Sequence, residues 1–206
     1  MMEIRQNTEH MRFFRNWLSD PWRVGALAPS GQSLAALMTS EISVATGPVL
    51  ELGPGTGTGV FTQSLLERGV TPRNLTLIES GEEFATVLKD RFPGVRVIHM
   101  DAARLPRKTL IEDASLGAVI SGLPLLSMPP RKVMMILAGA TGRLRPGGAF
   151  FQFTYGPRCP VPRPILDRLG LKAKCIGRTF QNMPPAAVYR ITRRRPLKPA
   201  IKGIAT

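Results

Sequence analysis

Four glycines alternate with other residues directly after a short apolar stretch at residues 49–52. Glycine has no Cβ, so a ligand can lie against the bare backbone there and the turn can adopt positive φ. A segment of helical character, residues 60–68, follows the turn. The pattern predicts a strand, a ligand-binding turn and a helix in succession. The four glycines are Gly53, Gly55, Gly57 and Gly59.

Carboxylates accompany this turn and end the next two predicted strands. Glu51 lies two residues before the first glycine, Glu79 ends the strand pattern 75–79, and Asp101 follows the pattern 95–100. Ligands of open α/β sheets bind beyond the carboxyl ends of the strands. The dinucleotide pattern G-x-G-x-x-G/A would need a small third residue where Thr58 stands, and a carboxylate near the turn disfavours pyrophosphate. The carboxylates favour a ligand with a cationic end instead.

A glycine turn with acids at three successive strand ends resembles the cofactor site of class I methyltransferases, which bind S-adenosylmethionine. The resemblance implies that Glu51 serves the cationic end, that Glu79 accepts both ribose hydroxyls and that Asp101 accepts from the adenine amino group. An ordinary glycine turn with surface acids is the alternative. The full predicted cofactor site is Glu51, Gly53, Pro54, Gly55, Thr56, Gly57, Glu79, Ser80, Asp101, Ala102, Ser121 and Gly122.

Composition restricts the function further. The 206 residues suit one domain with a sizeable core, and the net charge of +14 with a pI near 11.2 favours anionic partners. Two cysteines and two histidines do not make a metal site, so no metal is expected. The polar N-terminal segment has no signal-peptide pattern, and no apolar run is long enough to span a bilayer. A cytoplasmic protein with reduced thiols is therefore expected.

Strand and helix patterns alternate from residue 49 to residue 170, which predicts a doubly wound, parallel α/β sheet. Two last strand patterns, about 172–180 and 187–192, have no helix between them and are predicted to form an antiparallel hairpin. The fold class is thus a Rossmann-like, seven-stranded, mostly parallel sheet of the class I methyltransferase type. We divide the chain into an N-terminal helix with its linker, a methyltransferase domain and a basic tail: residues 1–30, 31–192 and 193–206.

Two helix patterns have further detail. A helix is predicted over about residues 32–44, where leucine, methionine and isoleucine recur on one side. A second helix is predicted over residues 82–92, and Ser80 and Glu83 have the spacing of a capping box at its start.

Residues 3–18 form a pattern typical of an amphipathic helix. Aromatic side chains widen its apolar stripe, and arginines lie beside the stripe. Such a helix can lie in a membrane interface, where anionic headgroups attract the basic flank. It can equally pack on the protein's own sheet or cover the cofactor site. The residues concerned are Phe13, Phe14, Trp17, Arg12 and Arg15.

Four segments together are similar to the bacterial phospholipid N-methyltransferases: residues 13–17, 24–30, 51–57 and 121–124. The similarity extends from about residue 10 to residue 192. It implies a cytoplasmic enzyme, peripheral to the membrane, that converts phosphatidylethanolamine stepwise to phosphatidylcholine. The expected partners are phosphatidylethanolamine and anionic membrane lipids, with no nucleic acid.

Three further residues are candidates for the substrate side. Leu123 belongs to an apolar, proline-stiffened segment after the fourth strand, and it either contacts acyl chains or packs inside the protein. Tyr155 follows the fifth strand and is the candidate catalytic residue: its ring could face a methylated ammonium, or its hydroxyl could position the amine. The alternative is that it simply packs at the strand end. Arg23 is a candidate for the headgroup phosphate. No general base is assigned, because desolvation alone can neutralise the attacking amine.

Two alternative functions stay open. Gly122-Leu-Pro124 partly matches the loop of ribosomal RNA adenine N6-dimethyltransferases, and the charge suits RNA, but Leu125 stands where an aromatic would stack on a flipped base. A non-catalytic, membrane-binding module with an inert sheet is the other. The complete set of Glu51, Glu79 and Asp101 argues against it.

Overall fold

The computed structural model describes residues 29–55, 59–107, 111–181 and 185–194. Seven strands form one sheet in the order β3-β2-β1-β4-β5-β7-β6. The first five are parallel, and β7 runs antiparallel to both β5 and β6. The strands are β1 (Val49–Leu52), β2 (Leu75–Glu79), β3 (Arg96–His99), β4 (Leu116–Ser121), β5 (Leu144–Thr154), β6 (Leu171–Thr179) and β7 (Ala186–Arg193).

Five α-helices of the described residues cover the two faces of the sheet. One apolar core holds Leu65 and Leu88 beneath α1–α3, and the other holds Ile136 and Ile165 beneath α4 and α5. The central strands are buried on both faces, which is why β1 and β4 consist of continuous buried residues rather than alternating ones. The helices are α1 (Pro29–Met38), α2 (Val60–Glu67), α3 (Glu82–Arg91), α4 (Pro130–Gly142) and α5 (Arg163–Arg168).

Short 3-10 turns connect several of these elements, at Val44–Thr46, Pro72–Asn74, Ala102–Arg107 and Leu125–Ser127. The sheet order and the terminal antiparallel pair confirm the predicted Rossmann-like methyltransferase fold. The structure places β1 and β2 at the predicted residues. None of the helices in the described ranges is long and apolar enough to cross a bilayer.

The predicted helix over residues 32–44 is too long. Helix α1 ends at Met38, and a separate 3-10 turn follows at Val44–Thr46. The hydroxyl of Thr39 donates to the carbonyl of Ala35, and Ser40 Oγ donates to Leu37 O, both at 2.8 Å. Side-chain hydroxyls that bond to nearby backbone in this way compete with helix continuation.

The predicted capping box at Ser80 and Glu83 is wrong. Gly81 is the N-cap of α3, and no side chain caps this helix end. Ser80 Oγ donates instead to Glu79 Oε1 at 3.4 Å, and the backbone N–H of Gly81 donates to the same oxygen at 2.9 Å. The turn is therefore organised by the carboxylate at the end of β2 rather than by a serine.

Candidate functional site

The carboxyl ends of the parallel strands frame a cavity of about 310 Å³. Because β1, β2, β3 and β4 are neighbours in the sheet, the segments that follow them converge at one edge. Polar groups come mainly from the segments after β2 and β3, whereas the loop after β4 and helix α4 contribute mostly apolar side chains. The wall consists of Gly53, Gly55, Ile78, Glu79, Ser80, Gly81, Phe84, Met100, Asp101, Ala102, Gly122, Leu123, Pro124, Met128, Lys132 and Ile136.

Glu79 is the acceptor at the end of β2. Its side chain is buried, and Oε1 accepts from the N–H of Gly81 and from Ser80 Oγ. Within the described residues no group donates to Oε2, so that oxygen is left for a ligand. A carboxylate held in this way suits a pair of hydroxyl donors.

Asp101 lies at the end of β3 and is held on both oxygens. Oδ1 accepts from the N–H of Ala103 at 3.0 Å, and Oδ2 forms an ion pair with Lys132 Nζ at 2.8 Å. Partial burial tends to raise the pKa of Asp101, but the hydrogen bonds from Lys132 and Ala103 and the charge of Arg104 outweigh burial and lower it. Asp101 is thus an ionised acceptor at neutral pH.

The sequence reasoning did not identify Lys132. It lies in the first turn of α4, two residues after the proline that begins the helix. Its charge balances Asp101 in the cavity wall and fixes the rotamer of that carboxylate. A basic residue just inside the helix that follows β4 was the available signal, but the pair forms only because α4 packs against the 3-10 turn that follows β3.

Glu51 is fully buried and does not line the cavity. Thr62 Oγ1, from α2, donates to Oε2 at 2.7 Å, whereas Oε1 has no partner among the described residues. Burial raises the pKa of Glu51 to about 7; the Thr62 hydrogen bond lowers it, and the charge of Glu79 adds to the rise. A buried carboxyl with one orphan oxygen beneath the glycine turn is suited to a cationic group of a ligand.

The glycine turn brings its backbone to the cavity wall at Gly53 and Gly55. Gly53 has a φ of +61°, and a Cβ there would lie 2.5 Å from Leu123 Cδ2, so only glycine fits without displacement. Pro54 is buried between the two glycines. The other predicted members of the turn, Thr56 and Gly57, lie outside the described residues.

The loop after β4 closes the cavity from the other side of β1. Gly122 and Leu123 are in the wall, whereas Ser121 is fully buried behind it and accepts from the N–H of Leu123 at 3.3 Å. Ser80 and Ala102 also line the cavity. Ser121 therefore supports the loop and does not face the cavity.

The structure does not bring Tyr155 to this cavity. Its ring packs edge-on against Phe153 with 5.4 Å between the ring centroids, and Phe153 packs in turn against Phe61 of α2. These rings belong to the core beneath α1–α3, whereas Ile78 and Met100 of the cavity wall belong to the opposite core. The predicted membrane and headgroup residues, Phe13, Phe14, Trp17, Arg12, Arg15 and Arg23, lie outside the described residues.

The buried carboxyl of Glu51 makes stability depend on pH. Its pKa is about 7 in the folded protein and near 4.5 when the chain is unfolded. Between these two pH values the folded protein keeps a proton on Glu51 that the unfolded chain has released. The stability that this protonation contributes is fully present below pH 4.5 and is lost as pH rises through 7. Glu51→Gln cannot ionise, so between pH 5 and pH 8 it should lose less stability than the native chain, by on the order of 1–3 kcal/mol.

Denaturant unfolding at pH 5 and pH 8 measures this difference. Glu112→Gln, at an exposed position, is the matched control and should follow the native pH dependence. Equal pH dependence of the native chain and Glu51→Gln would show that Glu51 ionises normally.

The carboxylate acceptors and apolar side chains of this site fit S-adenosylmethionine. Glu79 Oε2 can accept from the ribose, and the ion-paired carboxylate of Asp101 keeps lone pairs that can accept from an amino group. Phe84, Met100 and Ile136 give the wall apolar surface for an adenine ring. One oxygen of Glu51, two residues before Gly53, has no partner among the described residues and is available to a cationic methionine end.

Residues 49–148, which include the whole cavity wall, match the family described as a methyltransferase domain. No curated protein matches the sequence. Solved structures with the same fold include a TehB-like SAM-dependent methyltransferase from Corynebacterium glutamicum, 15% identical, with a TM-score of 0.61; 92% of this chain and 99% of that chain are covered.

Two further structures of the same fold contain S-adenosylhomocysteine or S-adenosylmethionine. The 1,6-didemethyltoxoflavin-N1-methyltransferase of Burkholderia thailandensis, with bound S-adenosylhomocysteine, is 17% identical over 93% of this chain and 90% of its own, with a TM-score of 0.60. The glycopeptide N-methyltransferase MtfA, complexed with S-adenosylmethionine, is 14% identical over 80% of this chain and 95% of its own, with a TM-score of 0.56.

Proposed function

We propose that this S-adenosylmethionine-dependent methyltransferase transfers methyl groups to the amine of phosphatidylethanolamine, stepwise towards phosphatidylcholine, at a membrane surface. The observation that carries the proposal is the apolar loop after β4. Leu123, Pro124 and Met128 line the cavity beside the glycine turn, and the segment 121–131 contains no acidic residue. An aliphatic wall of this kind suits a substrate with hydrocarbon next to its reacting amine.

The cofactor residues have separate tasks in this proposal. Glu79 accepts from the ribose hydroxyls, Asp101 accepts from the adenine amino group, and the backbone at Gly53 and Gly55 lies against the methionine part. Glu51, whose pKa of about 7 leaves it partly protonated without a ligand, would ionise when the cationic end of that part binds. The sulfonium of S-adenosylmethionine supplies a methyl group that a neutral amine can attack. The residues of this chain therefore act mainly by holding donor and amine in line.

The amine must lose its proton before it can attack. The titratable residues in the described wall are Glu79, Asp101 and Lys132, and all three lie at the end assigned to the adenosine. Desolvation against Leu123 and Met128 lowers the pKa of an ammonium group, which makes the neutral amine accessible near neutral pH. No dedicated base is assigned. Tyr155 is proposed to act on the amine only if the bound lipid reaches the face of the sheet on which that ring packs.

Membrane attachment is assigned to the N-terminal helix pattern. Phe13, Phe14 and Trp17 would enter the interface, and Arg12 and Arg15 would attract anionic headgroups. Arg23 is proposed to bind the substrate phosphate. The net charge of +14 concentrates the whole protein at such a surface, on the cytoplasmic side of the membrane.

Methylation of ribosomal RNA is the other candidate that the charge favours. That activity needs an aromatic side chain to stack on the flipped adenine. The residue at the corresponding place is Leu125, whose side chain is buried in the core and cannot stack on a base. This observation favours the lipid over the RNA.

Labelled S-adenosylmethionine distinguishes these substrates. Phosphatidylethanolamine in vesicles containing anionic lipid should be methylated faster than in neutral vesicles, and the product should progress from the monomethyl to the trimethyl headgroup, because one methyl group changes discrimination by only about 1–3 kcal/mol. Phe14→Ala combined with Trp17→Ala should lower the rate on vesicles without lowering cofactor affinity. Methylation of ribosomal RNA with no methylation of lipid would overturn the proposal.

A further inference from the structure

The carboxyl edge of the sheet carries opposite charge on its two halves. The half formed by β1–β3 presents Glu79, Glu82 and Asp101. The half formed by β4–β6 is built, within the described residues, from the segments 121–131, 155–162, 176–181 and 185–187, which contain no aspartate or glutamate. This second half instead carries exposed arginines, including Arg158 and Arg178.

Two of the most exposed large apolar residues lie on the same half. Phe180, directly after β6, is 76% exposed, and Leu126, in the turn after β4, is 61% exposed. We call Leu126, Arg158, Arg178 and Phe180 the basic rim. Among the described residues neither of these arginines has a carboxylate partner, whereas Arg163 nearby is paired with Asp167. The rim therefore leaves both positive charge and apolar surface without a partner.

The members of the basic rim form one surface rather than isolated points. A Cβ on Gly156, two residues before Arg158, would lie 3.7 Å from Leu126 Cδ1, so the loops after β4 and β5 are in contact. Arg178 Nη2 donates to the carbonyl of Pro157 at 3.4 Å, which joins β6 to the loop after β5. Phe180 follows Arg178 by two residues on the same strand end.

We infer that the basic rim is a docking surface for an anionic lipid bilayer, with Leu126 and Phe180 entering the interface and Arg158 and Arg178 contacting headgroups. Binding of the rim to a bilayer does not depend on the proposed substrate; only the delivery of a lipid amine to the cavity rests on the proposed function. Leu123 and Met128, on either side of Leu126 in the chain, line the cavity. A bilayer seated on the rim therefore lies next to the apolar end of the cavity, and a lipid amine has a short path to it.

A lipid surface fits the rim better than single-stranded RNA does. Both would use the arginines, but RNA recognition needs aromatic or planar groups against the bases. The rim offers one ring and an exposed aliphatic side chain, a combination that gains free energy by entering the acyl boundary and none by stacking. The absence of acids from the whole half matches the negative potential of an anionic leaflet.

The charge part of the inference is tested with paired substitutions in the full chain. Arg158→Gln/Arg178→Gln should lower partitioning onto anionic vesicles about 30-fold, which is two cations at ~1 kcal/mol each, and the loss should shrink at high salt. Lys172→Gln/Lys174→Gln removes the same charge from exposed positions near the other end of β6 and should change partitioning far less. Equal losses in the two variants would overturn the inference.

The apolar part is tested with a fluorophore that reports the membrane interface. Cys159 and Cys175, neither of which forms a disulfide, are first replaced with alanine, and single cysteines are then placed at Phe180, Leu126 or Val44 for labelling. Val44 is 66% exposed but lies just before β1, at the opposite edge of the sheet. Brominated lipids should quench the labels at 180 and 126 but not the label at 44.

The outcomes separate this inference from the proposed function. Quenching at the rim without methylation of phosphatidylethanolamine would retain the docking surface and reject the proposed substrate. Methylation of lipid with no quenching at 126 and 180, or no binding to vesicles at all, would reject the docking surface. Loss of RNA binding, rather than vesicle binding, in Arg158→Gln/Arg178→Gln would assign the rim to nucleic acid instead.

Discussion

Glu79→Ala is expected to weaken the binding of S-adenosylmethionine by about 1.5–3 kcal/mol, roughly 10- to 150-fold in Kd, the usual contribution of hydrogen bonds to a charged group. Glu79 is buried at the end of β2, where Oε1 is held by the N–H of Gly81 and Oε2 is free for a ligand. In the proposed cofactor site, alanine would remove the acceptor assigned to the ribose hydroxyls. Isothermal calorimetry with the full chain measures the change.

Two controls separate recognition from folding in this experiment. Because Glu79 also organises the turn before α3, circular dichroism and a thermal melt must show that the alanine variant remains folded. Glu82→Ala removes an exposed carboxylate three residues later and should leave the affinity nearly unchanged. A folded Glu79→Ala protein with native affinity would remove Glu79 from the cofactor site.

The strands near the site could be predicted from sequence because their patterns are local. Residues 49–52 and 75–79 are short apolar stretches between turn residues, and buried parallel strands have this composition. Their alternation with helices then predicts a parallel sheet, in which the strand ends that carry Glu79 and Asp101 lie at one edge. These two local features were sufficient to predict that the two carboxylates lie close together.

The remaining features of the cavity depend on tertiary contacts that no local pattern encodes. Lys132 pairs with Asp101, 31 residues away in the chain, only because α4 packs against the 3-10 turn that follows β3. Burial of Ser121 follows from its position between β1 and β5 in the sheet. Tyr155 is a different case, because two-residue alternation along β5 places it on the same face as Phe153. That periodicity was available in the sequence and predicts the packed position.

The second large effect concerns the contact between the glycine turn and the loop after β4. A Cβ at Gly122 would lie 2.3 Å from the carbonyl oxygen of Gly53 and 3.6 Å from that of Leu52. Neither loop can move aside freely, because the N–H of Gly122 donates to Leu52 O at 2.8 Å and the N–H of Gly53 donates to Ile78 O at 2.9 Å. The clash is therefore with hydrogen-bonded backbone rather than with a flexible side chain.

Gly122→Ala is accordingly expected to destabilise the fold by about 3 kcal/mol, in the upper part of the range for overpacking, and to lower cofactor affinity at least about tenfold. Relief of the clash must separate the ends of β1 and β4, and both Gly53 and Gly122 are part of the cavity wall.

Gly142→Ala is the matched control, because a Cβ there meets nothing within 4 Å at the end of α4. Alanine in that helix should leave binding unchanged and raise stability by up to about 1 kcal/mol. Denaturant unfolding and calorimetry on both variants measure the two effects. Native affinity in a folded Gly122→Ala protein would mean that the close approach of these loops does not shape the site.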